Sequence, residues 1–447
     1  MPLVRRIALC LALLTGLAAA SPALAVGLLR DAEIEHGLDI LARPLLTAAG
    51  LPASRTQVIV VNDMAMNAFV VNSRVVFVNA GLILRLQSAA ELQAVIAHEI
   101  GHIANGHVAR RGLNAQAARN ATLLGLAAGV AAGAVSGHPG AGAGIAMGAH
   151  SSAMRVFFGH TRQEEAAADN SGIAFLARSG IDPQAFRRVL SLFEGQEALL
   201  PERQDPYNQT HPLTRDRIRA VDLAVASMKP LPSEDHQEAN YWFDRSKAKL
   251  SAYLRPPSYT FSRLKASDTS DAAQIARAVA YFRDSDMTNA RQAIGVVIER
   301  RPDDAYAEEL LGWMEIESAN PGAAVTAYEK AAALAPTESL ILAGYGRALL
   351  AQNTAASNAQ AIEVLERARA RDRYDAAMLR DLAIAYARAG DQGNASLATA
   401  ERYALAGRLE DADIHAQRAA GQLPVGSPGW ERAQDIIRAA AAEKRRR

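Results

Sequence analysis

Three histidines and one glutamate interrupt an otherwise apolar stretch, AVIAHEIGHIANGH, at residues 94–107. His98 and His102 are four residues apart, so on an α-helix their imidazoles share one face and can converge on a single point. Glu99 would project beside that point. Histidines at this spacing with a glutamate between them bind zinc in many hydrolases, and the glutamate serves as general base. The same short pattern also occurs by chance among buried histidines, so a metal centre requires further ligands.

The residues before this motif predict the helix that would present it. Ser88 is a candidate N-cap, and Glu91 follows three residues later, which is the arrangement of a capping box. Apolar side chains then recur at helical spacing: Leu92, Val95, Ile96, Ile100 and Ile103.

A catalytic zinc takes three protein ligands and one water. Gly106 and His107 do not fall at the positions of the longer motif HExxHxxGxxH, so the third ligand is expected elsewhere. Glu165 and Asp169 are four residues apart on a helix predicted over about 161–178, and Glu165 could reach the metal. Asp169 could accept a hydrogen bond from the far nitrogen of a ligand histidine and fix its tautomer. The alternative is a solvated acidic face, but the three alanines between the two carboxylates favour close packing.

HEIGH, the later E-x-x-A-D of Glu165–Asp169, and the dipeptide His211–Pro212 together resemble the gluzincin family that contains HtpX and the CAAX prenyl protease. The resemblance implies an α+β zincin-type metallopeptidase domain with one Zn²⁺ per chain. It assigns His98, His102 and Glu165 as zinc ligands and Glu99 as general base.

The same resemblance places His211 in the active site. It would either stabilise the oxyanion or bind zinc as a fourth ligand, which would suppress activity by filling the position of the water. The alternative is a surface histidine that caps a helix. Four other histidines are left out of the predicted site, and His107 is expected to point elsewhere because it is five residues past His102: His107, His138, His150 and His160.

Residues 1–25 have the pattern of a cleavable secretory signal peptide, with Arg5 and Arg6 before an apolar core and Ala-Leu-Ala at the end. An uncleaved anchor is disfavoured because the apolar core is short. The only cysteine, Cys10, lies in this peptide. The mature chain should therefore lack disulfides and thiolate ligands, and we expect a periplasmic protein.

Residues 26–225 are predicted to form the α+β domain. Three segments read as strands, with a hairpin at 72–74: TQVIVVND, NAFVVN and RVVFVNAG. A strand beside the HEIGH helix could hold an extended peptide by edge pairing. Residues 121–150 are rich in glycine and alanine and are interpreted as a helical hairpin or lid. Each half is shorter than the roughly 20 residues that a membrane span needs, so peripheral membrane contact, or a membrane-embedded peptidase, is the less favoured alternative.

Residues 226–270 are interpreted as a linker with a bracing helix, and residues 271–447 as an all-α tetratricopeptide repeat solenoid. Gly312 and Gly346 are 34 residues apart, and key positions of that repeat are occupied: Leu311, Gly312, Tyr328, Ala331 and Pro336. An alanine-rich bundle without repeats is the alternative. Such repeats usually hold another protein, and the signal peptide with these repeats resembles a periplasmic branch of the family.

The formal net charge of +1 gives no indication of nucleic-acid binding. The resemblance to the gluzincin family implies zinc-dependent endopeptidase activity, with chaperone activity, in the quality control and assembly of outer-membrane proteins. By the same resemblance, the expected partners are unfolded or stalled β-barrel proteins and their assembly machinery. The alternative is a latent protease that acts mainly as a chaperone or scaffold through its repeats.

Overall fold

The computed structural model describes residues 27–110, 162–196, 204–228 and 236–445. The predicted signal peptide and the segment 121–150 lie outside these residues. Within them the chain forms an α+β domain followed by a helical repeat solenoid, which confirms the predicted fold class.

A small mixed sheet forms one layer of the first domain. Its strands are β1 (Leu28–Leu29), β2 (Gln57–Val61), β3 (Ala68–Asn72) and β4 (Val75–Asn79). Their order in the sheet is β1-β2-β4-β3, with β2 and β4 parallel and β3 and β4 joined as the predicted antiparallel hairpin. The strand β3 is consequently an edge of the sheet.

Helices cover this sheet and enclose the core of the domain. The helices of the domain are α1 (Ala32–Ala48), α2 (Ala80–Arg85), α3 (Ala89–Ala104), α4 (162–178), α5 (Gln184–Ser191), α6 (Pro206–Thr210) and α7 (Arg215–Ala226).

The N-terminus of α3 differs in one detail from the predicted capping box. The Ser88 side chain accepts a hydrogen bond from the Glu91 amide at 3.3 Å, as expected for an N-cap. The Glu91 carboxylate accepts from the amide of Gln87 at 2.7 Å. The reciprocal bond thus reaches one residue further back than in a capping box.

The rest of the described chain is helical. Two helices, α8 (Gln237–Leu254) and α9 (Pro257–Arg263), lead into the repeats, which pack as successive antiparallel pairs. The repeat helices are α10 (Asp271–Arg283), α11 (Met287–Arg300), α12 (Ala305–Glu317), α13 (Pro321–Leu334), α14 (Ser339–Ala351), α15 (Ala355–Arg371), α16 (Ala376–Arg388), α17 (Gln392–Leu405), α18 (Leu409–Gln422) and α19 (Pro428–Lys444).

Buried ion pairs connect α8 to the first domain and to the repeats. Arg245 has no exposed surface; it donates to Glu33 on α1 at 2.6 Å and also contacts Asp304 before α12. Lys249 lies 2.8 Å from Asp31 and 3.2 Å from Glu33. Because breaking a buried pair leaves an uncompensated charge, these contacts hold the two parts together firmly. In the ranges that the structure describes, no helix is long and apolar enough to span a bilayer.

We predict that Gly346→Ala destabilises the repeats. A Cβ at this position would lie 2.4 Å from Cγ of Leu365, a fully buried side chain on the paired helix, so the pair must move apart. Overpacking of this kind costs about 1–3 kcal/mol, which urea unfolding of the full chain would detect. Gly295→Ala is the control, since nothing lies within 4 Å of its Cβ. That helix should gain roughly 0.5–1 kcal/mol, and equal effects of the two variants would contradict the repeat packing.

Candidate metal centre

Helix α3 presents three of the predicted site residues to the interior. His98, Glu99 and His102 are all buried, with exposures of 1%, 0% and 0%. The Nε2 atoms of the two histidines lie 3.1 Å apart. The spacing of four residues therefore brings both imidazoles to one point, as the sequence predicts.

Small residues let α4 approach α3 closely. A Cβ on Gly101 would lie 2.8 Å from the carbonyl oxygen of Ala168, and one on Gly172 would lie 3.2 Å from the backbone of Ala97. Because neither glycine has a side chain, the backbones of the two helices come into contact. Of the three alanines beside Glu165, Ala168 is fully buried in this contact, whereas Ala167 is half-buried and Ala166 is exposed.

The close approach brings the Glu165 carboxylate onto the two histidines. Its Oε1 lies 3.3 Å from Nε2 of His102, and its Oε2 lies 3.3 Å from Nε2 of His98. His211 joins them from the segment after α6, with Nδ1 3.0 Å from Oε2 of Glu165 and 3.2 Å from Nε2 of His98. His211 is 2% exposed, so it is buried and is not a surface histidine.

The separations within this group test whether a metal ion fits. The four residues each offer one atom to a common centre, and these atoms all lie within 4.8 Å of one another. In a tetrahedral site with zinc–nitrogen bonds of about 2.0–2.1 Å, ligand atoms are about 3.3–3.4 Å apart. The observed separations of 3.0–3.3 Å are close to this value. Three imidazoles and one carboxylate thus form a donor set that suits a divalent metal.

A second set of polar groups orients the ligands from outside. Oδ1 of Asp169 lies 3.0 Å from Nδ1 of His98, on the side of the ring away from the centre. Arg217 on α7 donates to both oxygens of Asp169, at 2.5 and 2.8 Å. The same guanidinium lies 3.1 Å from Glu165 and donates to the carbonyl oxygen of His211 at 3.1 Å. Arg217 therefore links three of the groups that surround the centre.

Burial and neighbouring charges shift the protonation equilibria of these groups. Burial alone would raise the pKa values of Glu165 and Asp169, but the surrounding histidines hold the first well below its ordinary value, and Arg217 with His98 lowers the second. Burial lowers the pKa of His102 to about 3. For His98, burial is outweighed by Asp169 and Glu165, which raise the pKa to about 9. A metal must displace that proton, so its affinity should fall as the pH falls.

The prediction that His107 points away from the site is wrong. Its Nδ1 lies 2.9 Å from Nδ1 of His102, and the residue is 2% exposed. The prediction assumed that α3 continues, but the helix ends at Ala104 and Gly106 follows with φ +70°. This left-handed residue turns the chain back, so that His107 reaches the outer face of the ligand ring.

Glu99 has the environment expected of a general base whose hydrogen-bond partner is supplied by the bound substrate or water. It is fully buried, and among the described residues neither carboxylate oxygen has a hydrogen-bond partner. Nε2 of His211 lies 3.4 Å from Oε1 of Glu99. A buried carboxylate left without a hydrogen bond is costly, which points to a function rather than to stability.

We predict that Glu165→Gln weakens metal binding by more than the 10–100-fold that loss of an outer partner typically costs. The amide keeps the size of the side chain but loses the charge that the histidines surround. Competition with a chelator would measure the affinity. Glu164→Gln makes the same chemical change one residue earlier, outside the converging group, and should leave the affinity unchanged. Equal affinities of wild type and Glu165→Gln would show that the third ligand is another residue.

Comparison with known proteins agrees with this geometry. Residues 29–225 match the model of Peptidase family M48. A putative beta-barrel assembly-enhancing protease of Vibrio cholerae is 26% identical over 301 residues, which are 62% of this chain and 58% of that protein. The beta-barrel assembly-enhancing protease of Escherichia coli K12 is 25% identical over 407 residues, 90% of this chain and 81% of that protein.

Among solved structures, a thermophilic TPR protein of Thermus thermophilus is 17% identical and covers 38% of this chain and 97% of its own, with a TM-score of 0.25. That likeness is too weak to support an argument, and the solenoid is assigned from its own helix pairs. The family match covers the whole region that carries the converging residues. Residues 29–225 are therefore similar to Peptidase family M48, whose members are metalloproteases, and the match supports a hydrolase activity for this domain.

Proposed function

We propose that this chain is a periplasmic zinc-dependent endopeptidase with chaperone activity, which acts in the quality control and assembly of outer-membrane proteins. The observation that carries the proposal is the convergence of His98, His102 and Glu165 beside the buried carboxylate of Glu99. The printed names of the relatives, which refer to β-barrel assembly, support the choice of clients. The predicted signal peptide supports the compartment.

The chain's own residues supply binding and proton transfer. When bound, zinc would polarise the scissile carbonyl and lower the pKa of a water from 15.7 to about 7. Glu99 would accept the proton of the attacking water and pass it to the leaving nitrogen, a role worth typically 10²–10⁴ in rate. The buried surroundings strengthen these interactions because they exclude bulk water.

His211 sets whether the site is open. A catalytic zinc keeps one position for water, and in this conformation Nδ1 of His211 lies 3.0 Å from Glu165 and completes the group of four ligand atoms. We propose that this is a latent arrangement and that His211 leaves when a substrate binds. The alternative role, a donor to the substrate oxyanion, requires His211 during turnover.

The position of His211 connects this latency to substrate binding. Its Nε2 lies 3.3 Å from the carbonyl oxygen of Ala68, at the start of the edge strand β3. The amide of Tyr207 donates to the carbonyl oxygen of Met66 at 3.2 Å, so the segment before His211 also covers this end of the strand. An extended client that pairs with β3 would compete with these contacts and open the site.

Cleavage of unfolded casein distinguishes the two roles of His211. We predict that Glu99→Gln retains about one zinc per chain but loses activity by roughly 10²–10⁴, and that His211→Ala gains activity because the fourth position is vacated. A loss of 10²–10³ in His211→Ala would instead indicate the oxyanion role. Failure of wild type and His211→Ala to cleave, with zinc and client binding retained, would favour the chaperone or scaffold alternative.

The repeats offer cavities in which clients could be held. One, of about 510 Å³, lies between the first domain and the repeats, and a second, of about 420 Å³, lies further along the solenoid. Tyr374 lines both and is 62% exposed. Aromatic rings at such positions bury much area at low entropic cost and are common in binding sites.

We predict that Tyr374→Ser weakens binding of an unfolded outer-membrane β-barrel protein by about tenfold, equivalent to about 1.4 kcal/mol. Binding would be measured in the Glu99→Gln background, so that the client is not degraded. Val425→Ser is the control, because Val425 is 82% exposed and lines neither cavity. Unchanged binding by Tyr374→Ser would count against these cavities as the client site.

A further inference from the structure

The two ligand histidines of α3 have chemically different partners on their outer faces. Nδ1 of His98 faces the Asp169 carboxylate at 3.0 Å. Nδ1 of His102 faces another imidazole, that of His107, at 2.9 Å. The two rings meet edge to face, with centroids 5.1 Å apart and an interplanar angle of 70°.

The distance between these nitrogens defines where one proton lies. Two ring nitrogens at 2.9 Å form a hydrogen bond only if one of them carries hydrogen and the other offers its lone pair. Nε2 of His102 faces His98 at 3.1 Å and Glu165 at 3.3 Å, on the side of the metal centre. A nitrogen that binds metal carries no proton, so the proton of His102 belongs on Nδ1. That N–H then donates to Nδ1 of His107.

We propose that His107 is a positioning residue for the metal site, which accepts the Nδ1 hydrogen of His102 and thereby presents the Nε2 lone pair of His102 to the metal. Asp169 faces Nδ1 of His98 in the same way, but Asp169 is a charged carboxylate and His107 is a neutral imidazole. The proposal rests on the proposed function, in which His98, His102 and Glu165 hold a metal ion.

The surroundings of the pair support a neutral partner. Arg217 compensates the charge of Asp169 at 2.5 Å. A neutral imidazole needs no such counterion. It also leaves His102 a weaker electron donor than a carboxylate would, which favours a more electrophilic metal.

The backbone explains how His107 reaches this position. Gly106 turns the chain after α3, and Asn105 fixes the turn to α4 through a 3.0 Å hydrogen bond from its Nδ2 to Ser171. The side chain of His107 is thus carried by a turn that is itself attached to the helix of Glu165. The turn can be loosened without removing the imidazole, and this provides a control.

Metal affinity, measured by chelator competition on the full chain, tests the proposal with three variants. His107→Leu removes the acceptor and should weaken binding by roughly 10–100-fold. His107→Asn returns a neutral acceptor and should restore most of the affinity, and His107→Asp should bind metal several-fold more tightly than His107→Asn. Asn105→Ala, which loosens the same turn but keeps the imidazole, should lower the affinity less than His107→Leu does.

A spectroscopic readout accompanies the affinities. The ¹⁵N chemical shifts of His102 in the metal-loaded wild type should show a protonated Nδ1, and this signal should change in His107→Leu while that of His98 does not. Protonation of His102 at Nε2, or equal affinities of wild type and His107→Leu, would overturn the proposal. So would equal losses in all three His107 variants, which would indicate packing alone.

If His107→Leu does not fold, the comparison of His107→Asp with His107→Asn decides, because equal affinities of those two variants overturn the proposal. Failure of the proposed function gives a different result, in which the wild type itself binds no metal.

Discussion

The structure around the centre depends on one constraint, which is that the Glu165 carboxylate is ionised although it is buried at 1% exposure. An isolated carboxylate in such surroundings would be protonated. It stays charged because three imidazoles face it and the Arg217 guanidinium lies 3.1 Å away. Arg217 is in turn held by Asp169, which orients His98. Each of these groups is buried only because the others are present, so the site must form as a unit.

That constraint accounts for the packing of the two helices. Glu165 reaches the histidines of α3 only if the helix backbones touch, and the glycines at 101 and 172 allow this contact. A Cβ would lie 2.8 Å from the carbonyl oxygen of Ala168 at position 101 and 3.2 Å from the backbone of Ala97 at position 172, so a side chain at either position would require the helix backbones to shift. The two glycines thus determine how closely the helices approach, and the ligand geometry depends on this approach as well as on the ligands themselves.

The sequence allowed the prediction of residues whose roles follow from regular helical spacing. His98 with His102, and Glu165 with Asp169, are pairs four residues apart, and both pairs lie where that spacing places them. His107 and Arg217 were not predicted. His107 depends on the end of α3 and on the positive φ of Gly106, for which Asn105–Gly106 was the available signal. Arg217 depends on the tertiary packing of α7, which no local pattern in the chain specifies.

Helix α1 places the repeats in mechanical contact with the metal helix. Its N-terminal end carries Glu33, which is bonded to Arg245 of α8 and so to the repeats. Further along, the carbonyl oxygen of Leu41 accepts a hydrogen bond from Gln93 of α3 at 3.1 Å. Charged groups with no exposed surface cannot separate without a large cost, so a force on the repeats is transmitted to α3 through a rigid element. A client held by the repeats and paired with β3 would therefore act on the centre from two sides, through α1 and through displacement of His211. This arrangement accounts for the proposed latency. A client that binds only the repeats leaves His211 in place, and a client that pairs only with β3 leaves the contacts through α1 unchanged.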